Sequence, residues 1–178
     1  MTRAARPDVV VRPVGVADAQ AWAAFLVAAQ AHTYGPLAPE GFGERRLAEV
    51  DEAAEELTRL LADPAGWHGV LAERGGVVVA VAAAGPAPAP WEEDLGLVPP
   101  PTDTQLDKIY IDPTEHGTGL ADRLLAAVLA PGPAYLWLID GNERAERFYT
   151  RRGFVPLDEQ IPAGESWGNI PMHRMVRA

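Results

Sequence analysis

Leu106–Leu125 reads LDKIYIDPTEHGTGLADRLL and decides the fold. Alternating residues up to Ile111 predict a strand, Asp112-Pro113 ends it, and an amphipathic helix follows the His116-Gly117-Thr118-Gly119 turn. A strand that delivers a glycine-bearing turn into a helix N-terminus forms an anion site, because free N–H groups and the positive end of the helix dipole point the same way. The spacing is neither a dinucleotide fingerprint nor a P-loop: Gly117-x-Gly119 lacks the third glycine and has no Gly-Lys-Ser/Thr ending. On turn chemistry alone, a plain tight turn that relieves a helix start is an equal reading.

Outward from this stretch, the remaining chain reads as further strands and helices. Val9–Arg12 predicts a first strand, and Ala19–Ala31 a helix capped by Asp18, with Trp22, Phe25, Leu26 and Ala29 on one stripe. Glu44–Ala62 predicts a second helix with Leu47, Val50, Ala54, Leu57 and Leu61 inward. Its acidic residues read as a solvated face. Trp67–Glu73 and Val77–Ala84 read as a hairpin around Arg74-Gly75-Gly76. Gly85–Pro101, with six prolines, is too irregular for a hairpin turn and reads either as a substrate wall or as a surface excursion. On strand Thr104–Ile111 simple alternation puts Gln105, Asp107, Ile109 and Ile111 on one face and Leu106, Lys108 and Tyr110 on the other. Helix Gly119–Leu129, strand Ala134–Ile139, helix Asn142–Arg152 and strands Phe154–Leu157 and Met172–Val176 complete the order. This is an α/β domain with a mixed sheet and about four helices.

A chain of 178 residues with 48% hydrophobic and 22% charged residues suits one globular domain over 1–178. The longest apolar run, Val77–Ala84, is far short of a membrane span. The start, MTRAARPDVVVRP, lacks a signal-type apolar core, so a cytoplasmic location is expected. With no Cys, disulfides and thiolate chemistry are excluded. A net charge of −10 disfavours nucleic acid and is compatible with a cationic substrate such as an amine. Lys108 is the only lysine among fifteen basic residues, a bias that reads as coding composition.

Two stretches carry a resemblance. IYIDPTEHGTGLADRLL resembles the acyl-CoA-binding motif of the GNAT superfamily of N-acyltransferases. YLWLIDGNERAERFYTRRGF resembles that family's next motif, in the same order and at a fitting separation. The resemblance implies a single-domain fold whose central strands splay to form an acyl-CoA cleft, with acetyl-CoA as co-substrate and no metal. It implies that the backbone of Ile109, Tyr110 and Ile111 pairs with the pantetheine arm. It places amides of His116, Gly117, Thr118, Gly119, Leu120 and Ala121 around the pyrophosphate, and Asn142 near the pantetheine. Tyr149 matches the acid that protonates the leaving thiolate. Asn142 has a second reading as a helix N-cap.

The departures set further expectations. His116 stands where the family has Gln or Arg, and Asp122 where a basic or small polar residue is common, so the phosphate end is expected to be less basic than usual, with Asp122 structural. Gln105 stands where many members carry a general-base Glu; Asp107, Asp103 and His32 are the substitutes in reach, Asp107 first. The expected reaction is direct acetyl transfer to a primary amine in a ternary complex. His32-Thr33-Tyr34-Gly35, Leu61-Ala62-Asp63-Pro64 and DKIYID resemble the polyamine-acetylating branch of the family, which implies a small amine such as a polyamine as acceptor, and the acidic charge agrees. A protein or peptide N-terminus and a silent acyl-CoA-binding regulatory module are the alternatives. A homodimer is open; nucleic acid and membrane are not expected partners.

Overall fold

The computed structural model describes residues 8–157 and 160–178; the first half of the segment read for a targeting signal lies outside them. Eight strands form one sheet: β1 (Val9–Pro13), β2 (His68–Arg74), β3 (Val77–Pro86), β4 (Thr104–Ile111), β5 (Ala134–Ile139), β6 (Val155–Pro156), β7 (Ile161–Pro162) and β8 (Pro171–Arg177). The order is β1-β2-β3-β4-β5-β8-β6, with β7 also on β8. Among the described residues only β4 and β5 run parallel, joined by a helical crossover; the other pairs are antiparallel.

Six α-helices accompany the sheet among the described residues: α1 (Ala19–Tyr34), α2 (Phe42–Ala48), α3 (Val50–Ala62), α4 (Pro90–Asp94), α5 (Leu120–Val128) and α6 (Glu143–Thr150). Two of them exceed the four read from the sequence. The expected helix Glu44–Ala62 is broken at Glu49, whose φ of −91° and ψ of 12° leave the helical region. The two halves dock on different targets. Phe42 enters an aromatic cluster with Tyr34, Ile170 and Met172, whereas Ala54 and Leu57 pack under α1. The Glu49 carboxylate takes the Arg46 guanidinium at the break, and Leu47, expected inside, is exposed. Asp18 also differs. It makes no cap to α1; it accepts from Gly15 N at 2.8 Å and binds Arg12 through two bonds of 2.7 Å, closing a 3-10 turn ahead of the helix. The final strands are trimmed to Val155–Pro156 and extended to Pro171–Arg177.

The two faces of the sheet are filled differently. Trp22, Ala23 and Leu26 of α1, with Ala54 and Leu57 of α3, cover Leu71, Val81 and Ala83. On the opposite face Leu120, Leu124 and Leu125 of α5 press on Ala80, Ala82, Ala84, Leu106 and Leu136. Three alanines on one face of β3 let the leucines of α5 approach closely, so large residues face small ones as dense packing requires.

The β4 pairing corrects the face assignment. Ala83 pairs with Lys108 and Ala84 with Leu106, so Asp107 is an extra residue, a β-bulge. One added residue moves everything after it to the other face. Leu106, Ile109 and Ile111 therefore face α5, while Lys108 and Tyr110 face α1 together with Gln105. The bulge also marks where β4 leaves β5: their ladder consists of Gln105 with Tyr135 and Leu106 with Leu136. Beyond it the strands splay, as the resemblance implied.

Candidate active site

The splay opens a cleft of about 470 Å³ between the two central strands. One wall is the main chain of Leu106–Ile111, which β5 does not pair beyond Leu106. Of the residues expected to hold a coenzyme, Ile109, Tyr110, Ile111, His116, Gly117, Gly119, Leu120, Ala121 and Asn142 line this cleft. Thr118 stands beside it, its hydroxyl donating to the Glu115 carbonyl at 2.7 Å. An adjoining chamber against α1, lined by Phe25, His32 and Thr33 with Asp112, Asn142 and Arg144, meets the cleft.

The glycine turn has the geometry an anion needs. Gly117 and Gly119 sit at φ of +75° and +82°, and a Cβ on either would meet nothing within 4 Å. They are glycines because the backbone is left-handed, and the space in front of them is open. Gly119 is the N-cap of α5, so the first-turn amides face the cleft without helical partners. Beneath the turn Glu115 is fully buried and clamped by Arg74, through bonds of 2.9 and 2.7 Å. A buried carboxylate in a two-pronged guanidinium grip is a rigid support.

The end of the cleft at the glycine turn is more basic than its sequence suggested. Arg144, Arg151 and Arg152 of the α6 segment all line the cleft. Arg152 donates to Asp122 at 2.7 Å and lies 3.5 Å over the Phe148 ring, so Asp122 ties the start of α5 to the end of α6. Burial, then the contact with Arg144, lower the His116 value, leaving a neutral imidazole beside a guanidinium. These arginines were present in NERAERFYTRR, but only helix phase and the α5–α6 approach aim them at one cleft.

Asn142 serves as an N-cap, accepting from Ala145 N at 3.3 Å, and its amide reaches Tyr34 Oη at 3.5 Å across the cleft. Tyr149 is buried among Phe148 and Phe154 and lines the cleft. Burial pushes its phenol well above the ordinary value, and the neighbouring Tyr34 adds to this. Tyr34 and Tyr110 are raised by burial as well, with Tyr34 partly relieved by hydrogen bonds from Tyr110 and Asn142. All three phenols therefore keep their protons at neutral pH and can donate.

On the α1 face Asp107 reaches the cleft from its bulge. Its Oδ2 accepts from the Trp67 indole at 3.2 Å and meets the Lys108 ammonium at 2.9 Å. Gln105 is buried and donates to Glu92 at 3.1 Å. Asp103 is not among the residues lining either chamber, whereas His32 lines the second. Among the described residues no group of His, Cys, Asp and Glu is placed to hold a metal, and no helix is long and apolar enough to cross a membrane.

Known proteins resemble this arrangement. The model of the acetyltransferase (GNAT) family matches residues 31–154. An uncharacterized N-acetyltransferase of Mycobacterium tuberculosis (strain H37Rv) is 43% identical over 58 residues, 29% of this chain and 37% of that protein. The match thus spans little more than a third of that relative's length. Among solved structures, the PaiA N-acetyltransferase from Thermoplasma acidophilum in complex with coenzyme A superposes with a TM-score of 0.66 at 14% identity, over 94% of this chain and 98% of that one. The ribosomal-protein-alanine N-acetyltransferase from Brucella melitensis gives 0.65 at 19% identity, with the same coverage of 94% and 98%. At these identities the likeness is one of fold.

Proposed function

The chain belongs to the acetyltransferase (GNAT) family, and we propose that it moves an acetyl group from acetyl-CoA to the primary amine of a small molecule. The observation that carries this reading is the splay of β4 from β5 directly above an open glycine turn flanked by Arg144, Arg151 and Arg152. A strand edge with unpaired peptide groups suits an amide-bearing pantetheine arm, which would pair with Ile109–Ile111 as an added strand. The turn and the arginines suit its pyrophosphate.

The proposed step is direct attack. A neutral amine approaches from the α1 side, where Tyr34, Tyr110 and Trp137 bound the space. In this reading Asp107 takes the amine proton, since Gln105 cannot accept one. The thioester carbonyl becomes an oxyanion held by a strand N–H near Ile109. As the C–S bond breaks, Tyr149 gives its proton to the sulfur. With no Cys in the chain, a thioacyl-enzyme intermediate has no nucleophile. The acidic chain suits a cationic acceptor such as a polyamine.

A silent acyl-CoA-binding module is the second reading, favoured by Gln105 at the base position and by the Lys108 ammonium already on Asp107. Thiol release from acetyl-CoA across a panel of polyamines, amino acids, aromatic amines and N-terminal peptides separates the two. Faster release with an amine supports the enzyme. Binding of CoA without faster release for any amine supports the module and overturns the enzyme.

A further inference from the structure

The segment between β3 and β4 contains a buried acid that the reaction above does not use. Glu92, on the short α4, has no exposed surface. Its Oε1 accepts from Trp137 Nε1 at 2.8 Å, and its Oε2 from Ala89 N at 2.7 Å and Gln105 Nε2 at 3.1 Å. The Tyr135 hydroxyl lies 2.8 Å from each oxygen. Each of these donors is uncharged. A carboxylate removed from water is costly unless its lone pairs are filled, and here four donors from three chain segments converge to fill them. Burial first, and then Glu92 itself, raise the Tyr135 phenol, so it remains a donor.

What this cage holds is informative. Gln105 and Tyr135 form the first rung of the β4–β5 ladder, and Trp137 is the first β5 residue beyond its last rung. Trp137 lines the cleft and packs against the buried cluster of Tyr34, Phe42, Ile139, Ile170 and Met172. Its indole N–H is bonded to Glu92, Trp91 packs on it at 5.4 Å, and the Arg174 guanidinium lies 5.2 Å from its ring centre. An indole free to rotate about two side-chain bonds is thereby held in one orientation, at the point where an acceptor meets the thioester.

We propose that Glu92 is a positioning residue for the acceptor: through the indole N–H it fixes Trp137 as the aromatic wall against which the amine is aligned. The irregular Pro-rich segment is then a bracket that delivers this carboxylate, and its irregularity follows from the need to turn Glu92 into the sheet. The proposal rests on the acetyl-transfer reading. It differs from that reading in what it makes sensitive, because Glu92 touches neither substrate.

The test uses the full chain with acetyl-CoA and spermidine as the acceptor probe. Glu92→Gln keeps the shape but replaces one accepting oxygen with a donor. Trp137→Phe keeps an apolar six-membered ring but removes the indole donor together with the five-membered ring that bears it; it carries the test if Glu92→Gln does not fold. Each is expected to raise the KM for spermidine at least fivefold, while the KM for acetyl-CoA stays within twofold. The double variant should be no worse than the poorer single one, because both act through one contact. Tyr135→Phe removes another donor to the same carboxylate, on a ring outside the cleft. It should lower Tm and leave the spermidine KM within twofold. In the labelled protein the Trp137 indole N–H resonance should move upfield in Glu92→Gln. An unmoved spermidine KM in the folded variants, equal losses for both substrates, or an unmoved indole resonance overturns the proposal while the acetyl-transfer reading stands. An enzyme that turns over no amine overturns that reading and this one with it.

Discussion

Gly119→Ala tests the coenzyme site with a strain control built into the same chain. Gly119 sits at φ +82° and Gly76, in the β2–β3 hairpin, at φ +81°. At both positions a Cβ would meet nothing within 4 Å. The cost to the free protein is therefore backbone strain alone, about 1–2 kcal/mol for a left-handed residue with a Cβ. For a chain of this size each kcal/mol lowers Tm by about 2–4 °C, so both variants should lose about 2–8 °C. The two positions differ in what occupies the open space. In front of Gly119 lie the first-turn amides of α5 and the arginine-lined cleft, whereas Gly76 does not line it. Adding a methyl at 119 should hold the pyrophosphate away from the amides and weaken CoA binding at least about tenfold, or about 1.4 kcal/mol. Gly76→Ala should bind CoA as the parent does. Calorimetric titration with CoA and a thermal melt on each variant decide the matter. Equal losses of Tm with parental affinity at Gly119→Ala would place the pyrophosphate elsewhere and refute the reasoning.

Three other perturbations probe the chemistry and the core. Tyr149→Phe keeps the ring against Phe148 and Phe154 and removes only the hydroxyl, so kcat should fall about 100-fold or more while CoA affinity holds; turnover within twofold of the parent removes Tyr149 as the acid. Asp107→Asn should lower kcat/KM at least about tenfold if this carboxylate takes the amine proton, and parental kcat/KM across the pH range would assign that proton to water. The four tyrosines, Tyr34, Tyr110, Tyr135 and Tyr149, all have phenols raised by burial. Their contribution to stability is full below about pH 10 and is lost as pH rises, because only the unfolded chain releases these protons. Tm should fall steeply above that pH, with phenolate absorbance appearing together with unfolding; phenolate in a still-folded protein contradicts the burial argument.

The amino-acid sequence by itself determined the local elements around the site. The strand over Thr104–Ile111, the stop at Asp112-Pro113, the glycine turn at 117 and 119 and the Asn142 cap act over a few residues, and the structure contains each of them. Tertiary structure decided the rest. Nothing in LDKIYID announces the bulge at Asp107; it exists because β3 pairs with β4 in a shifted register, and it reverses which side chains face α1 and which face α5. The break at Glu49 follows from two apolar faces finding different partners. Arg144 of α6 and Arg151 and Arg152 just after it came to line one cleft only when α5 lay beside them. Glu92, in a stretch with no periodicity to read, is explained by donors 13, 43 and 45 residues away. Turn chemistry and periodicity are local and can be read from neighbours in sequence. Register, charge burial and convergence on a cleft depend on groups brought together only by folding.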